Sequence, residues 1–206
     1  MSYCRWDCTS EENRRYHDEE WGVPLHDDRG QFEFQSMEVM QCGLSWGLII
    51  RKRSILNTCF DGFDYDRVAA YGEEDIERIL QAEGMIRARR KIEAIITNAQ
   101  AFQKVRGEFG TFSDYLWSFT DGKSVVFHKH PDGWIPASNG LSEKISKDLK
   151  RRGFKFVGPV VIYSHLQACG IINDHDRDCP CYRKLVETAP TVYRRRYLEK
   201  EIRFYG

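Results

Sequence analysis

The sequence holds no apolar run near the ~20 residues that a membrane-spanning helix needs. Its first residues, Met1-Ser2-Tyr3-Cys4-Arg5-Trp6, lack the apolar core of a signal peptide. It has no excess of either charge, because 31 Lys and Arg balance 31 Asp and Glu. A globally basic nucleic-acid binder is therefore excluded, and any contact with a polyanion has to come from a local patch. There is no C-x-x-C pair, no repeat of fixed period, no low-complexity segment and no long linker. The seven cysteines are odd in number and accompany no export signal. Buried thiols with a metal site are then the stronger reading, and a disulfide framework the weaker one. Together these absences predict a cytoplasmic protein with no membrane partner.

What remains is a globular balance of 41% hydrophobic and 30% charged residues in a chain of 206. That length suits one domain, or two lobes sharing a core. The periodicity is helical. Ser10 is placed to cap a short helix running through Glu20, and a second apolar segment from Phe32 ends near Gly43. Further helices are predicted over 46–60, 73–80, 112–119, 142–152 and 157–169, and around the stripe Ile92, Ile95, Ile96, Ala99 and Phe102. The charged tail, 191–206, reads as an exposed helix. Strand-like runs are few, Ser124-Val125-Val126-Phe127 being the best. The predicted class is all-α, with a main domain over 1–187 made of two helical lobes sharing one cleft, and a tail over 188–206.

Three constellations carry chemistry. Cys4 and His17 lie near the start, and His175 and Cys179 near the end, the latter pair at a spacing that places both around one turn. Two sulfurs and two imidazoles suit tetrahedral zinc, and such a site would clip the terminal segments together. Cys8, His26 and Cys181 are rival ligands, and buried free thiols beside surface histidines are the plainer alternative. The second constellation is Gly153-Phe154-Lys155-Phe156-Val157-Gly158, a two-glycine connection between helices ringed by Lys144, Lys147, Lys150, Arg151 and Arg152. It reads as a helix-hairpin-helix whose backbone N–H groups hold a phosphate, or as an ordinary helical corner with a solvated basic face. The third joins Glu38, Gly43-Leu44-Ser45-Trp46, Trp6, Tyr16 and Trp21. Aromatic faces can sandwich a planar base while a carboxylate accepts from its exocyclic amine, although such residues are more often core.

In their order along the chain these features resemble the bacterial 3-methyladenine DNA glycosylase I family over roughly residues 3–183. The carriers are Cys4-Arg5-Trp6, the run from Tyr16 to Pro24, Glu38 with Gly43-Leu44-Ser45-Trp46, the stretch from Arg87 to Ile92, the two-glycine connection, and the run from Gln167 to His175. The resemblance implies a helix-hairpin-helix glycosylase fold and hydrolysis of the N-glycosidic bond of 3-methyladenine to leave an abasic site. It implies one structural Zn2+ per chain on Cys4, His17, His175 and Cys179. It implies Glu38 as the catalytic residue, with Tyr16, Trp46 and Trp6 binding the base. Gly153, Lys155 and Gly158 would contact DNA. The implied partner is double-stranded DNA containing alkylated adenine, met by a monomer in the bacterial cytoplasm at the nucleoid. Asp174 is expected to orient His175, and no lysine stands out as a Schiff-base nucleophile, so lyase activity is not expected. Asn13, Val39, Met40 and Cys42 depart from the family's usual residues. A non-catalytic damage-binding protein and a zinc-stapled interaction domain are the other classes.

Overall fold

The computed structural model describes Cys4, residues 10–127 and residues 135–194. Local capping sets several helix starts. Ser10 accepts the Asn13 N–H at the head of α1 (Glu11–Glu19), as its position predicted. Asp27 accepts the Gly30 N–H at the head of α2 (Asp28–Gln41), and Ser45 the Leu48 N–H at the head of α3 (Trp46–Cys59). Then follow α4 (Tyr65–Val68), α5 (Glu73–Gln81), α6 (Arg89–Phe109), α7 (Phe112–Trp117), α8 (Gly140–Arg151), α9 (Pro159–Ala168) and α10 (Pro180–Thr188). Two strands, β1 (Ser124–Phe127) and β2 (Thr191–Arg194), and two short 3-10 helices (Asp61–Phe63 and Ser118–Thr120) complete the described elements. No helix is long and apolar enough to cross a membrane among the described residues.

The chain is mostly helical, but β1 and β2 form a parallel pair with Ser124 opposite Thr191 and Phe127 opposite Arg194. The best strand-like run of the sequence, Ser124–Phe127, is β1. The pairing corrects one expectation: Thr191–Arg194 is strand rather than exposed helix. The reason is non-local: the Val125 N–H and C=O are also bonded by the 171–173 segment, so β1 offers β2 an edge that the tail's own charge pattern does not reveal. Residues 195–206, the rest of the tail, lie outside the described residues.

Two units make up the chain. One comprises residues 26–116 and 148–157. Its interior is aromatic and built on α6. Phe102 stacks on Phe112 at 3.7 Å between centroids and meets Phe32 edge-on at 5.2 Å. The Asp28 carboxylate accepts the Phe112 and Ser113 N–H groups and so caps α7 from across the unit. The other unit comprises 1–25, 117–147 and 158–206. In it the 22–25 segment is bonded along the end of α9, Gly22 N–H to Gln167 C=O and Leu25 N–H to Cys169 C=O. That approach requires glycine at 170, where a Cβ would lie 2.4 Å from the Val23 carbonyl carbon and φ is +73°.

Candidate active site and metal centre

The side chains that could ligate a metal come from four places in one unit. His17 lies in α1 on the buried face shared with Asn13 and Tyr16. Cys4 precedes that helix, His175 follows the segment bonded to β1, and Cys179 is the N-cap of α10. One ligand atom from each lies within 4.8 Å of all the others, and all four residues are buried. Cys4 Sγ and Cys179 Sγ stand 3.4 and 3.6 Å from His175 Nδ1, and Cys179 Sγ stands 3.7 Å from His17 Nε2. The outer atoms are also held. His17 Nδ1 is 2.7 Å from Asp18 Oδ1, and His175 Nε2 is 2.8 Å from the Trp21 carbonyl. Such partners fix the ring orientations that a metal needs. Burial foremost, with Cys179 adding to it, pushes the Cys4 thiol up, so a thiolate there needs a cation beside it. The donor set therefore fits a metal ion. Gly22 is required here, since a Cβ at this position would sit 3.1 Å from the His175 ring at φ +80°.

The rival ligands separate. Cys181 forms a second, more exposed group with His17 and Asp18. His26 joins neither group, and Cys8 lies outside the described residues. Asp174 accepts from Tyr163 Oη at 2.5 Å and Gln167 Nε2 at 2.8 Å.

Glu38 belongs to the other unit. It sits in the third turn of α2 and is 4% exposed. Cys42 Sγ reaches its backbone carbonyl, but among the described residues no hydrogen bond reaches its carboxylate. Burial pushes its pKa up to about 8. One turn earlier, both amide atoms of Gln35 and the Ser36 hydroxyl are buried without partners. Sequence reasoning missed these, and only their polarity inside a buried helix face signalled them. After α2 the chain turns through Gly43 at φ +82° and enters α3 at Trp46, which is half-buried. This turn is closed by Leu44 N–H to Gln41 C=O at 2.6 Å and Gln41 Nε2 to Leu44 C=O at 2.8 Å. Tyr16 is buried in α1, in the unit that holds the Cys4–His17–His175–Cys179 cluster, and Trp6 lies outside the described residues.

The two-glycine connection follows α8, where the Gly153 and Phe154 N–H groups close the helix on Lys150 and Leu149. Lys155 and Phe156 are exposed. The Lys155 backbone is held by Asn98 of α6, whose Oδ1 accepts its N–H at 2.7 Å and whose Nδ2 donates to its C=O at 3.1 Å. Gly158 is the N-cap of α9, and Pro159 opens that helix.

Solved structures share this helical architecture. A crystal structure of 3-methyladenine DNA glycosylase I matches with a TM-score of 0.82 and 45% identity, covering 87% of this chain and 99% of that one. A structure from Staphylococcus aureus, described as the basis of 3-methyladenine recognition by 3-methyladenine DNA glycosylase I, matches with a TM-score of 0.83 and 34% identity over 88% and 97%. Among sequences, DNA-3-methyladenine glycosylase 1 of Escherichia coli is 44% identical over 182 residues, 88% of this chain and 97% of that protein. The sequence model described as methyladenine glycosylase matches residues 6–183. The chain belongs to the methyladenine glycosylase family.

Proposed function

We infer that this protein is a monofunctional DNA repair glycosylase that hydrolyses the N-glycosidic bond of 3-methyladenine in double-stranded DNA and leaves an abasic site. The observation that carries this reading at the level of the site is Glu38: a buried carboxylate with no hydrogen-bond partner among the described residues, next to the turn that delivers Trp46. A buried polar group without a partner is costly. An alkylated purine supplies what is missing, namely an exocyclic amine to donate and positive charge to oppose. Glu38 then reads the base edge, Trp46 stacks on its face, and Tyr16 and Trp6 complete its recognition. Methylation makes the base a good leaving group already. The protein therefore has less to supply than for a normal base, and binding the cation selects the substrate.

Zinc is the metal we assign to Cys4, His17, His175 and Cys179. Sulfur and nitrogen ligands of tetrahedral zinc stand about 3.6 Å apart, from the usual bond lengths. The observed separations of 3.4 to 3.7 Å agree with that spacing. Four protein ligands leave no open position for a substrate, so the ion would tie the N-terminal segment to residues 175–179 and take no part in bond cleavage. For DNA, the exposed Lys155 side chain and the N–H groups at the Gly158 end of α9 suit a backbone phosphate. The protein would act as a monomer in the bacterial cytoplasm.

The test is release of base from methylated duplex DNA, with the product identified by chromatography. Free 3-methyladenine with a matching number of abasic sites supports the reading. Tight binding to that DNA without any released base would make the protein a damage binder, and no DNA binding would leave only the zinc-stapled interaction domain.

A further inference from the structure

Helix α6 carries an odd first turn. Arg89, Arg90 and Lys91 open it and no acidic residue does, although cations at a helix N-terminus oppose the macrodipole. Arg89 is answered by Glu73, Glu77 and Glu93. Among the described residues, Lys91 is answered by no carboxylate. Its ammonium donates to the Met40 carbonyl at 2.8 Å and the Cys42 carbonyl at 2.6 Å, where α2 ends. The last turn of α2 has no basic residue of its own, so Lys91 supplies the cation that this helix end lacks. It thereby closes the helix bearing Glu38 and anchors the turn leading to Trp46. Two turns further along α6, Asn98 holds both backbone groups of Lys155. Asn98 is 1% exposed and makes both bonds with one amide. Residues seven apart share a helix face and lie about 10.5 Å apart along the axis.

We propose that Lys91 and Asn98 are positioning residues: one face of α6 holds the base-reading turn and the phosphate-gripping turn in fixed register. A flipped base and its flanking phosphate are joined covalently, so an enzyme that grips both needs a set distance between the grips. A stiff helix with a clasp at each grip supplies it. This rests on the function proposed above and names how its parts are spaced.

The two clasps have separable effects. Lys91→Met should lower single-turnover excision at saturating DNA roughly tenfold, because small misplacements of reacting groups are expensive. It should leave the affinity for undamaged duplex within about twofold. Lys91→Arg keeps the cation and should recover most of the rate. Asn98→Ala should weaken duplex binding about fivefold, the worth of one or two hydrogen bonds. The rate at saturating DNA should fall much less than in Lys91→Met. If Asn98→Ala does not fold, Asn98→Asp keeps the acceptor for the Lys155 N–H and loses only the donor. Hydrogen exchange should speed up at residues 41–46 in the first case and at 153–156 in the second. Crossed losses of this kind support the proposal. Both variants losing both properties in proportion, or losing only thermal stability, would overturn it. If the wild-type protein releases no base, the glycosylase reading itself has failed. Exchange and duplex affinity then still decide whether the clasps work as described.

Discussion

The Cys4–His17–His175–Cys179 cluster and the Glu38 site are both buried and polar, and they stand in opposite states. In the cluster each donor faces another donor, and both imidazoles have a second partner behind them. Among the described residues the Glu38 carboxylate has no hydrogen bond, and the side chains of Gln35 and Ser36 one turn earlier have none either. A closed set of donors spends its chemistry on the fold. An open set is held by the fold for something that arrives. The sequence resemblance implies a staple at one site and a receptor at the other, and the hydrogen bonding is in keeping with that division.

If the cluster is a staple, breaking it should damage stability first. Removing zinc with a strong chelator, or Cys179→Ser, should cost ~4 kcal/mol or more of unfolding free energy, read by thermal or urea denaturation with metal analysis alongside. A metal-free protein of unchanged stability would break the comparison from this side. Glu38→Gln should do the reverse. Excision of 3-methyladenine should fall by ~10²-fold or more in single-turnover assays, with the far-UV circular dichroism spectrum unchanged.

Glu38→Gln should also change stability in a defined direction. The Glu38 pKa is raised to about 8 in the folded protein, above its ordinary value. Between those two values the native state binds the proton and the unfolded chain does not, so stability falls as pH rises toward 8. The substitution removes that penalty. It should therefore stabilise the protein by up to about 5 kcal/mol at pH 9 and by almost nothing at pH 4. For the same reason kcat/KM of the wild type should climb with pH toward about 8, and the variant should lack that limb.

The smaller effects concern the edges of the two sites. Lys155→Glu should weaken DNA binding about fivefold and flatten its dependence on salt, and binding that ignores salt would remove the two-glycine connection from the DNA contact. Cys181 shares a more exposed group with His17 and Asp18. Cys181→Ser should shift stability by less than ~0.5 kcal/mol and leave metal content unchanged. Loss of the metal would move Cys181 into the staple.

Much of this was legible beforehand. The Ser10 cap, the α6 stripe and the basic α8 were read from spacing and periodicity, because the residues that decide them are local. So was the pairing of His175 with Cys179. What escaped was decided at a distance. Helix α10 begins at Pro180 inside a Cys-rich segment that carries no long apolar stripe. Four-residue α4 is held by Arg106 of α6 reaching Asp66 and Tyr65. The strand at 191–194 exists because β1 offers it an edge. The same holds in the site. A lone glutamate in a helix reads as a solvated one, and its isolation appears only when the neighbouring chain is in place. Lys91 and Asn98 read as ordinary helix residues for the same reason.

The most direct test of the contrast is the titration of the Glu38 carboxyl itself, followed by 13C NMR in the free protein and with 3-methyladenine added. The account predicts a midpoint near 8 in the free protein. It predicts a drop toward the usual carboxylate range once the base amine donates to the carboxylate. A midpoint already near ~4 without ligand, and unmoved by the base, would contradict it.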